Sequence, residues 1–236
     1  MTTRRIRKFV QFGAEYRSSI PDAARSRVVE KHASGKSKVV EYTLKGEVVG
    51  RRCFFETGEP ESEYSFRKGM KHGVQYQWYS PGRLTFAEPF ANGLPHGKAK
   101  QWADDGTLMG DYTMVHGTGI DLWRQHRGDG SVYLSEARYV VKGIVHGFDW
   151  WINEDQTTVH IERCFNDQGL HGIWREWNDR GRLRRGFPQY YINNEKVSKR
   201  KYMKACEIYP TLPRFCVEDN EPARVFPPEI ARSLQP

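Results

Sequence analysis

From Gly73 the chain alternates small or polar and bulky side chains as Val-Gln-Tyr-Gln-Trp-Tyr, breaks at Ser80-Pro-Gly82, and resumes as Arg-Leu-Thr-Phe-Ala-Glu-Pro-Phe. Short alternating runs rich in β-branched and aromatic residues predict strands, and a Pro-Gly break between two of them predicts a hairpin. The pattern returns from about Gly35 to about Asn194 with a period of about 22–28 residues, the range of repeat arrays. Glycines set the register. Gly35 and Gly46, Gly58 and Gly69, Gly82 and Gly93, and Gly106 and Gly117 are each eleven residues apart, and Gly130 and Gly143 are thirteen apart. Asp155-Gln156 stands where the next opening glycine is due, and Asn193-Asn194 where the last closing one is due.

A second signature lies inside the first: Gly69-Met-Lys-His-Gly73, Gly93-Leu-Pro-His-Gly97, Gly143-Ile-Val-His-Gly147 and the shortened Gly169-Leu-His-Gly172. Gly73, Gly97, Gly147 and Gly172, with His72, His96, His146 and His171, are therefore expected as structural turn residues. Equivalent positions of successive hairpins lie two strands apart, roughly 10 Å. The repeat histidines are thus too distant to share a zinc ion, whose nitrogens sit about 2.0–2.1 Å away. The expected fold is all-β, an elongated antiparallel meander of about twelve to fourteen strands spanning roughly 60 Å.

This constellation resembles the MORN repeat, and in particular the bacterial MORN-variant form, in which a tyrosine-rich strand is followed by one ending in Gly-x-x-x-Gly with His before the last glycine. The resemblance covers residues 35–194 and departs from the pattern at Asp155-Gln156, at His116-Gly117-Thr-Gly119 and in the final unit. It implies a hairpin-repeat scaffold that binds other molecules. It extends to bacterial chains classed as YwqK-type antitoxins, thought to neutralise a toxin by binding it. Some eukaryotic MORN proteins are linked to phosphoinositide membranes.

The flanks read differently. Residues 1–20 form a basic arm (Arg4, Arg5, Arg7, Lys8) or an edge strand, residues 21–194 the repeats, and residues 195–236 a small helical cap with a proline-rich tail. Ser198 is a fitting N-cap for a helix of two to three turns over the last hairpin. Tyr209-Pro-Thr-Leu-Pro-Arg-Phe reads as an extended linker, and Val225-Phe-Pro-Pro leads into one more helical turn with proline at its start.

Charge and chemistry change the picture only at the ends. The net charge is +8, but residues 51–172 hold 13 Lys/Arg against 16 Asp/Glu while both flanks are basic. The middle is thus not a uniform nucleic-acid binder. Cys53, Cys164, Cys206 and Cys216 form no C-x-x-C pair, which argues against a zinc or thioredoxin-like motif. No apolar run approaches the roughly 20 residues of a membrane helix, and no secretory leader is read at the N-terminus, so the cytoplasm is the expected compartment. No nucleophile elbow, P-loop, H-E-x-x-H or dinucleotide motif is present, and no cofactor is implied. Glu59, Glu61 and Glu63 alternate along one strand and are expected on its solvent side.

Two binding surfaces follow. Trp78, Trp102, Trp123, Trp151 and Trp177 recur on the strands; such aromatics are expected to form the core of a single-layer sheet, but a thin sheet cannot hide both faces, so these indoles are also the candidate partner-binding residues. They join Arg182, Arg184 and Arg185 of the basic Arg180–Arg185 run. The expected function is non-enzymatic binding of another protein, with a toxin as the partner the resemblance implies. The alternative is a scaffold whose basic ends hold anionic lipid or nucleic acid. A third possibility is an aromatic groove that processes polysaccharide. The open N-terminal edge strand invites pairing with a second copy.

Overall fold

The computed structural model describes residues 16–234 and separates into two compact units, Met1–His116 and Gly117–Pro236. The basic arm residues Arg4, Arg5, Arg7 and Lys8 lie outside the described residues. The first unit holds β1 (Arg25–Lys31), β2 (Ser37–Leu44), β3 (Glu47–Phe54), β4 (Pro60–Arg67), β5 (Met70–Lys71), β6 (Gly73–Ser80), β7 (Arg83–Ala91), β8 (Leu94–Pro95), β9 (Gly97–Trp102) and β10 (Leu108–Val115). Successive strands pair antiparallel, with β5 and β6 both pairing with β4, and β8 and β9 both with β7. The second unit is likewise a meander, of β11 (Thr118–His126), β12 (Val132–Val141), β13 (Ile144–Ile152), β14 (Val159–Asn166), β15 (Gly169–Leu170), β16 (Gly172–Glu176), β17 (Gln189–Ile192) and β18 (Glu195–Val197). It ends in helix α1 (Lys199–Ile208), a 3-10 turn (Glu218–Asn220) and helix α2 (Pro228–Ala231). The protein is thus an all-β hairpin meander with a small helical cap. Among the described residues no helix is long and apolar enough to cross a membrane.

The glycine spacing separates two kinds of turn. Except at Gly82, where Ser80 faces Arg83 across Pro81-Gly82, the opening glycine closes a three-residue loop: Phe55 N–H donates to Glu59 O (2.9 Å) and Gly58 N–H to Phe55 O (2.9 Å), and the same two bonds recur at residues 32–36, 103–107, 127–131 and 178–182. The closing glycine sits in a two-residue turn with both central residues at positive φ, as at Lys68 (51°) and Gly69 (74°). That conformation matches the twist of the paired strands. Where glycine is missing the turn persists. Asn193 and Asn194 adopt φ of 47° and 67°, which asparagine tolerates. Gln156 adopts 58°, held by its buried carboxamide on Leu134 N–H (3.1 Å) and Leu134 O (3.0 Å).

The first glycine of the Gly-x-x-His-Gly phrase belongs to the turn, and its His-Gly end does something else. Gly73, Gly97, Gly147 and Gly172, and the histidines before them, lie beyond the turns, inside the returning strands, at bulges. Phe66 faces Lys71; three residues further along β4 Glu63 faces Tyr76, which is five residues further along the return. The same two-residue excess follows Gly97 and Gly172, and it recurs in the β12–β13 pairing at Gly147. Bulges of this kind bend a strand and change which face its side chains meet. They also cut strands into the two-residue pieces β5, β8 and β15, raising the strand count above the expected one.

Each unit closes one face of its sheet with a chain terminus. In the first, residues 16–20 are not an edge strand. They run across the sheet, with Tyr16 edge-on to Tyr76 (4.8 Å) and Trp78 (5.4 Å) and Ile20 against Gly50. In the second, α1 is capped by Ser198, whose Oγ accepts from Lys201 N–H (3.2 Å). It lays Tyr202 and Ala205 against Ile173, Tyr190, Val197 and Leu212. The tail after it is no free linker: Leu212, Phe226 and Ile230 are buried.

Candidate functional site

The histidines act on neighbouring turns. His72 Nδ1 accepts from Asn92 N–H (3.4 Å), His96 Nδ1 from His116 N–H (3.1 Å) and His171 Nδ1 from Asn193 N–H (3.2 Å). The second N–H of the left-handed turn reaches back as well, Gly93 N–H to Lys71 O (2.8 Å) and Asn194 N–H to Leu170 O (2.7 Å). Two-residue turns present N–H groups that their own hairpin does not use, and the bulge brings the previous histidine to meet one. Spacing fails at one place: the His96 and His116 rings stack 4.2 Å apart, far closer than 10 Å. His116 occupies the turn position of Asn92 and not the bulge position. Among the described residues no three His, Cys, Asp or Glu side chains are grouped to hold a metal ion.

Directly opposed residues form a buried row across each sheet. In the first unit it runs Val40, Arg52, Glu63, Tyr76, Ala87. In the second it runs Leu122, Ala137, Trp150, Glu162, Arg175. Glu63, expected at the surface, is fully buried. The irregular pairing at Cys53/Phe54 breaks the alternation that would have grouped it with Glu59 and the exposed Glu61. Its carboxylate accepts from Arg52 Nε (2.6 Å), Ser18 Oγ (2.8 Å) and the Tyr16 hydroxyl. Burial first, then the Glu63 charge, pushes the Tyr16 phenol well above its ordinary pKa.

Glu162 accepts from Arg175 Nη1 (2.7 Å), from Arg224 Nε (2.6 Å) and Nη2 (3.0 Å), and from Trp150 Nε1 (2.9 Å). Burial alone would raise its pKa, but the hydrogen bonds and charge of Arg224, with Arg175 and Trp150, hold the carboxyl below its ordinary range. Beside it Cys164 is pushed up to about 12, by burial first and then by the Glu162 charge, so its thiol is neutral and a poor nucleophile.

These inner faces decide the fate of the indoles. Trp78, Trp102 and Trp177 are buried at 6%, 9% and 2% exposure, beneath residues of their own unit, and cannot meet a partner. Trp177 donates to Asn220 O (2.7 Å) and lies under the Arg224 guanidinium (5.1 Å). Trp123 is half-buried and Trp151 is exposed at 36%.

The opposite face of the second unit holds those two in a built arrangement. Trp123, Glu136, Trp151 and Ile161 are successive opposed residues, and Asp121, Arg138, Asp149 and Arg163 form the row beside them. Their charges alternate across four strands. Arg138 Nε lies 3.3 Å from Asp121 and Arg138 Nη2 lies 2.6 Å from Glu136, while Arg163 Nε and Nη2 reach Asp149 Oδ2 at 2.9 and 2.6 Å. Arg163 also lies over Trp151 (5.7 Å), Phe165 (5.6 Å) and Trp174 (5.9 Å). Burial raises the Glu136 carboxyl above its ordinary pKa, offset in part by Arg138. Sequence reasoning missed Arg138, Asp149, Arg163 and Trp174. Its available signal was the i, i+2 spacing that puts Asp121 with Trp123 and Asp149 with Trp151 on one face.

The basic loop after β16 stays in solvent. Arg180, Arg182, Arg184 and Arg185 are all exposed, with Arg184 Nε donating to Trp177 O (3.3 Å).

No protein-family model matches this chain. A search of curated proteins finds no match either.

Proposed function

We propose that the chain is a non-enzymatic binding protein whose partner is another protein, met on the Trp151–Arg163 face of the second unit. The observation that carries this is a large indole left 36% exposed beside an arginine already oriented by Asp149. Trp and Arg anchors on a rigid surface are what concentrate binding energy at interfaces. The charges around them are paired within the chain, Arg138 with Asp121 and Glu136 and Arg163 with Asp149, which lowers the cost of covering them. The antitoxin role is the specific form of this reading and rests on the resemblance to the MORN-variant repeat.

Co-purification from native cells tests the proposal. It expects one protein in fixed stoichiometry, lost by about thirtyfold or more in affinity on Trp151→Ala, the weight of an interface anchor of at least about 2 kcal/mol. A partner retained at full affinity by Trp151→Ala and by Arg163→Ala overturns it. So does turnover of an oligosaccharide on this face.

A second reading rests on the four exposed arginines of the loop at 180–185. It makes the chain a scaffold held to nucleic acid or anionic lipid by charge. That reading requires retention that falls steeply with salt and is abolished when Arg182, Arg184 and Arg185 are replaced by glutamine.

A further inference from the structure

Residues 221–230, Glu-Pro-Ala-Arg-Val-Phe-Pro-Pro-Glu-Ile, sit on the inner face of the second unit as a bound peptide would. Their backbone joins the sheet at its margin: Val159 N–H donates to Pro222 O (3.0 Å), Arg224 N–H donates to Thr157 O (2.9 Å), and Ala223 faces Thr158 antiparallel. Their side chains then alternate. Arg224 points in, Val225 is wholly exposed, and Phe226 points in at 7% exposure. Backbone pairing for affinity and alternate pockets for specificity are how a sheet reads an extended segment.

The two pockets are specific. The Arg224 fork spans both oxygens of Glu162, and its Cζ lies over the Trp177 ring at 5.1 Å. A planar guanidinium satisfies both contacts, and a lysine ammonium satisfies neither in the same way. Phe226 stands edge-on to Trp150 (5.7 Å, 88°). Further along, Tyr139 Oη donates to Glu229 Oε1 (2.8 Å) and Ile230 is fully buried. The segment is reached through a stretch in which Val217 is 62% exposed.

We propose that this face is a recognition site for an extended peptide of the form Arg-x-Phe, filled in cis by residues 221–230 and open to the same motif carried by a partner protein. The site is separate from the Trp151 face and does not depend on it.

The test uses the full chain carrying Arg224→Ala with Phe226→Ala, and a fluorescent peptide of residues 221–230. The variant is expected to bind the peptide at least tenfold more tightly than the unaltered chain, in which the tethered segment competes at millimolar effective concentration. A peptide with lysine in place of its arginine is expected to lose at least tenfold. Equal binding to both chains overturns the proposal, as does no binding by a variant whose circular dichroism is that of the folded chain. If the double variant does not fold, a protease site placed after Val217 in the otherwise unaltered chain replaces it. After cleavage, exchange of the released segment for labelled peptide supports the proposal. A segment that stays without exchanging, or loss of the fold on cleavage, overturns it.

Discussion

The two units carry the same four kinds of residue in the same lateral order, read in opposite directions along the chain. Arg52, Glu63, Tyr76 and Ala87 follow one another across the first sheet; Arg175, Glu162, Trp150 and Ala137 do so in the second when read from its C-terminal side. A terminal segment closes each row with an aromatic ring on the aromatic member, Tyr16 on Tyr76 and Phe226 on Trp150, and with donors to the glutamate. The donors differ. The first unit supplies hydroxyls from Tyr16 and Ser18, so one guanidinium faces one carboxylate. The second supplies Arg224, so two guanidinia share Glu162. A buried ion pair is neutral at best against an apolar core but costly to break. The second arrangement therefore depends more heavily on its glutamate, and on the segment that delivers the extra charge.

The largest expected effect tests that dependence. Glu162→Ala removes the carboxylate that two buried guanidinia share, leaving Arg224 only the carbonyls of Asp219, Glu221 and Ala223 and Arg175 only the half-exposed Asp219 at 3.5 Å, and is expected to cost about 3–5 kcal/mol of stability. Glu63→Ala leaves only Arg52, which keeps Tyr42 Oη (2.9 Å) and Ser18 Oγ (3.0 Å) as hydrogen-bond acceptors, and is expected at the low end, about 3 kcal/mol. Denaturant midpoints of the two variants compare them directly. An equal or larger loss at Glu63 breaks the asymmetry.

A smaller effect sharpens the contrast between a wall made of strand and a wall made of strap. A Cβ on Gly172 would come within 2.6 Å of Cys164 Cβ on β14, and one on Gly73 within 2.5 Å of Ser19 Cβ on the covering segment. Both glycines have positive φ, at 157° and 86°, and such strain costs about 1–3 kcal/mol. The segment at Ser19 is held there by a side-chain bond, Val74 N–H to Ser19 Oγ (2.9 Å), whereas Cys164 sits in a strand paired on both sides, so the first is expected to give way more easily. Gly172→Ala is expected near the upper end of that range and Gly73→Ala near about 1 kcal/mol. The same midpoints check it, and a reversed order shows the first unit's segment to be as rigid as a strand.

Most of the meander was legible because its turns are local: eleven-residue glycine spacing, a Pro-Gly break and Asn193-Asn194 each act on their own backbone. Ser198 marked α1 for the same reason. The bulges were not legible as bulges, since a glycine with positive φ serves a turn or a bulge equally well and only pairing with the previous strand separates them. Glu63 was misplaced by one irregular pair at Phe54; which tryptophans are core and which are surface was not legible, because Trp78 and Trp177 are covered from far away in sequence, by Tyr16 and by the segment holding Asn220, while Trp102 joins the cluster of Tyr76, Trp78, Leu84 and Ala87. Of the candidate surface, Trp123 and Trp151 were anticipated. Arg163 was not, because its value comes from meeting Asp149 across one strand pair and three aromatic rings around it.

The smallest expected effect is acid sensitivity, and it belongs to the second unit. Burial holds the His171 imidazole below its ordinary pKa, and the nearby His146 adds to this while Asn193 and Asp167 oppose it. Burial and then Arg184 do the same at His160, against Glu176. In both cases the unfolded chain takes up a proton that the folded chain resists. Stability is therefore full above the unfolded value of about 6.5 and declines as pH falls from there toward the lower folded pKa. The Glu162 contribution survives this range, because a carboxyl held below its ordinary pKa loses its benefit only as pH falls through that lower value. His171→Asn keeps an oxygen that can accept from Asn193 N–H but does not titrate. It is expected to flatten part of the decline between about pH 7.5 and 5.5, leaving the share due to His160. Denaturant midpoints across that range measure it. A decline undiminished in His171→Asn would remove the buried histidine from the account and place the acid sensitivity on His160 alone.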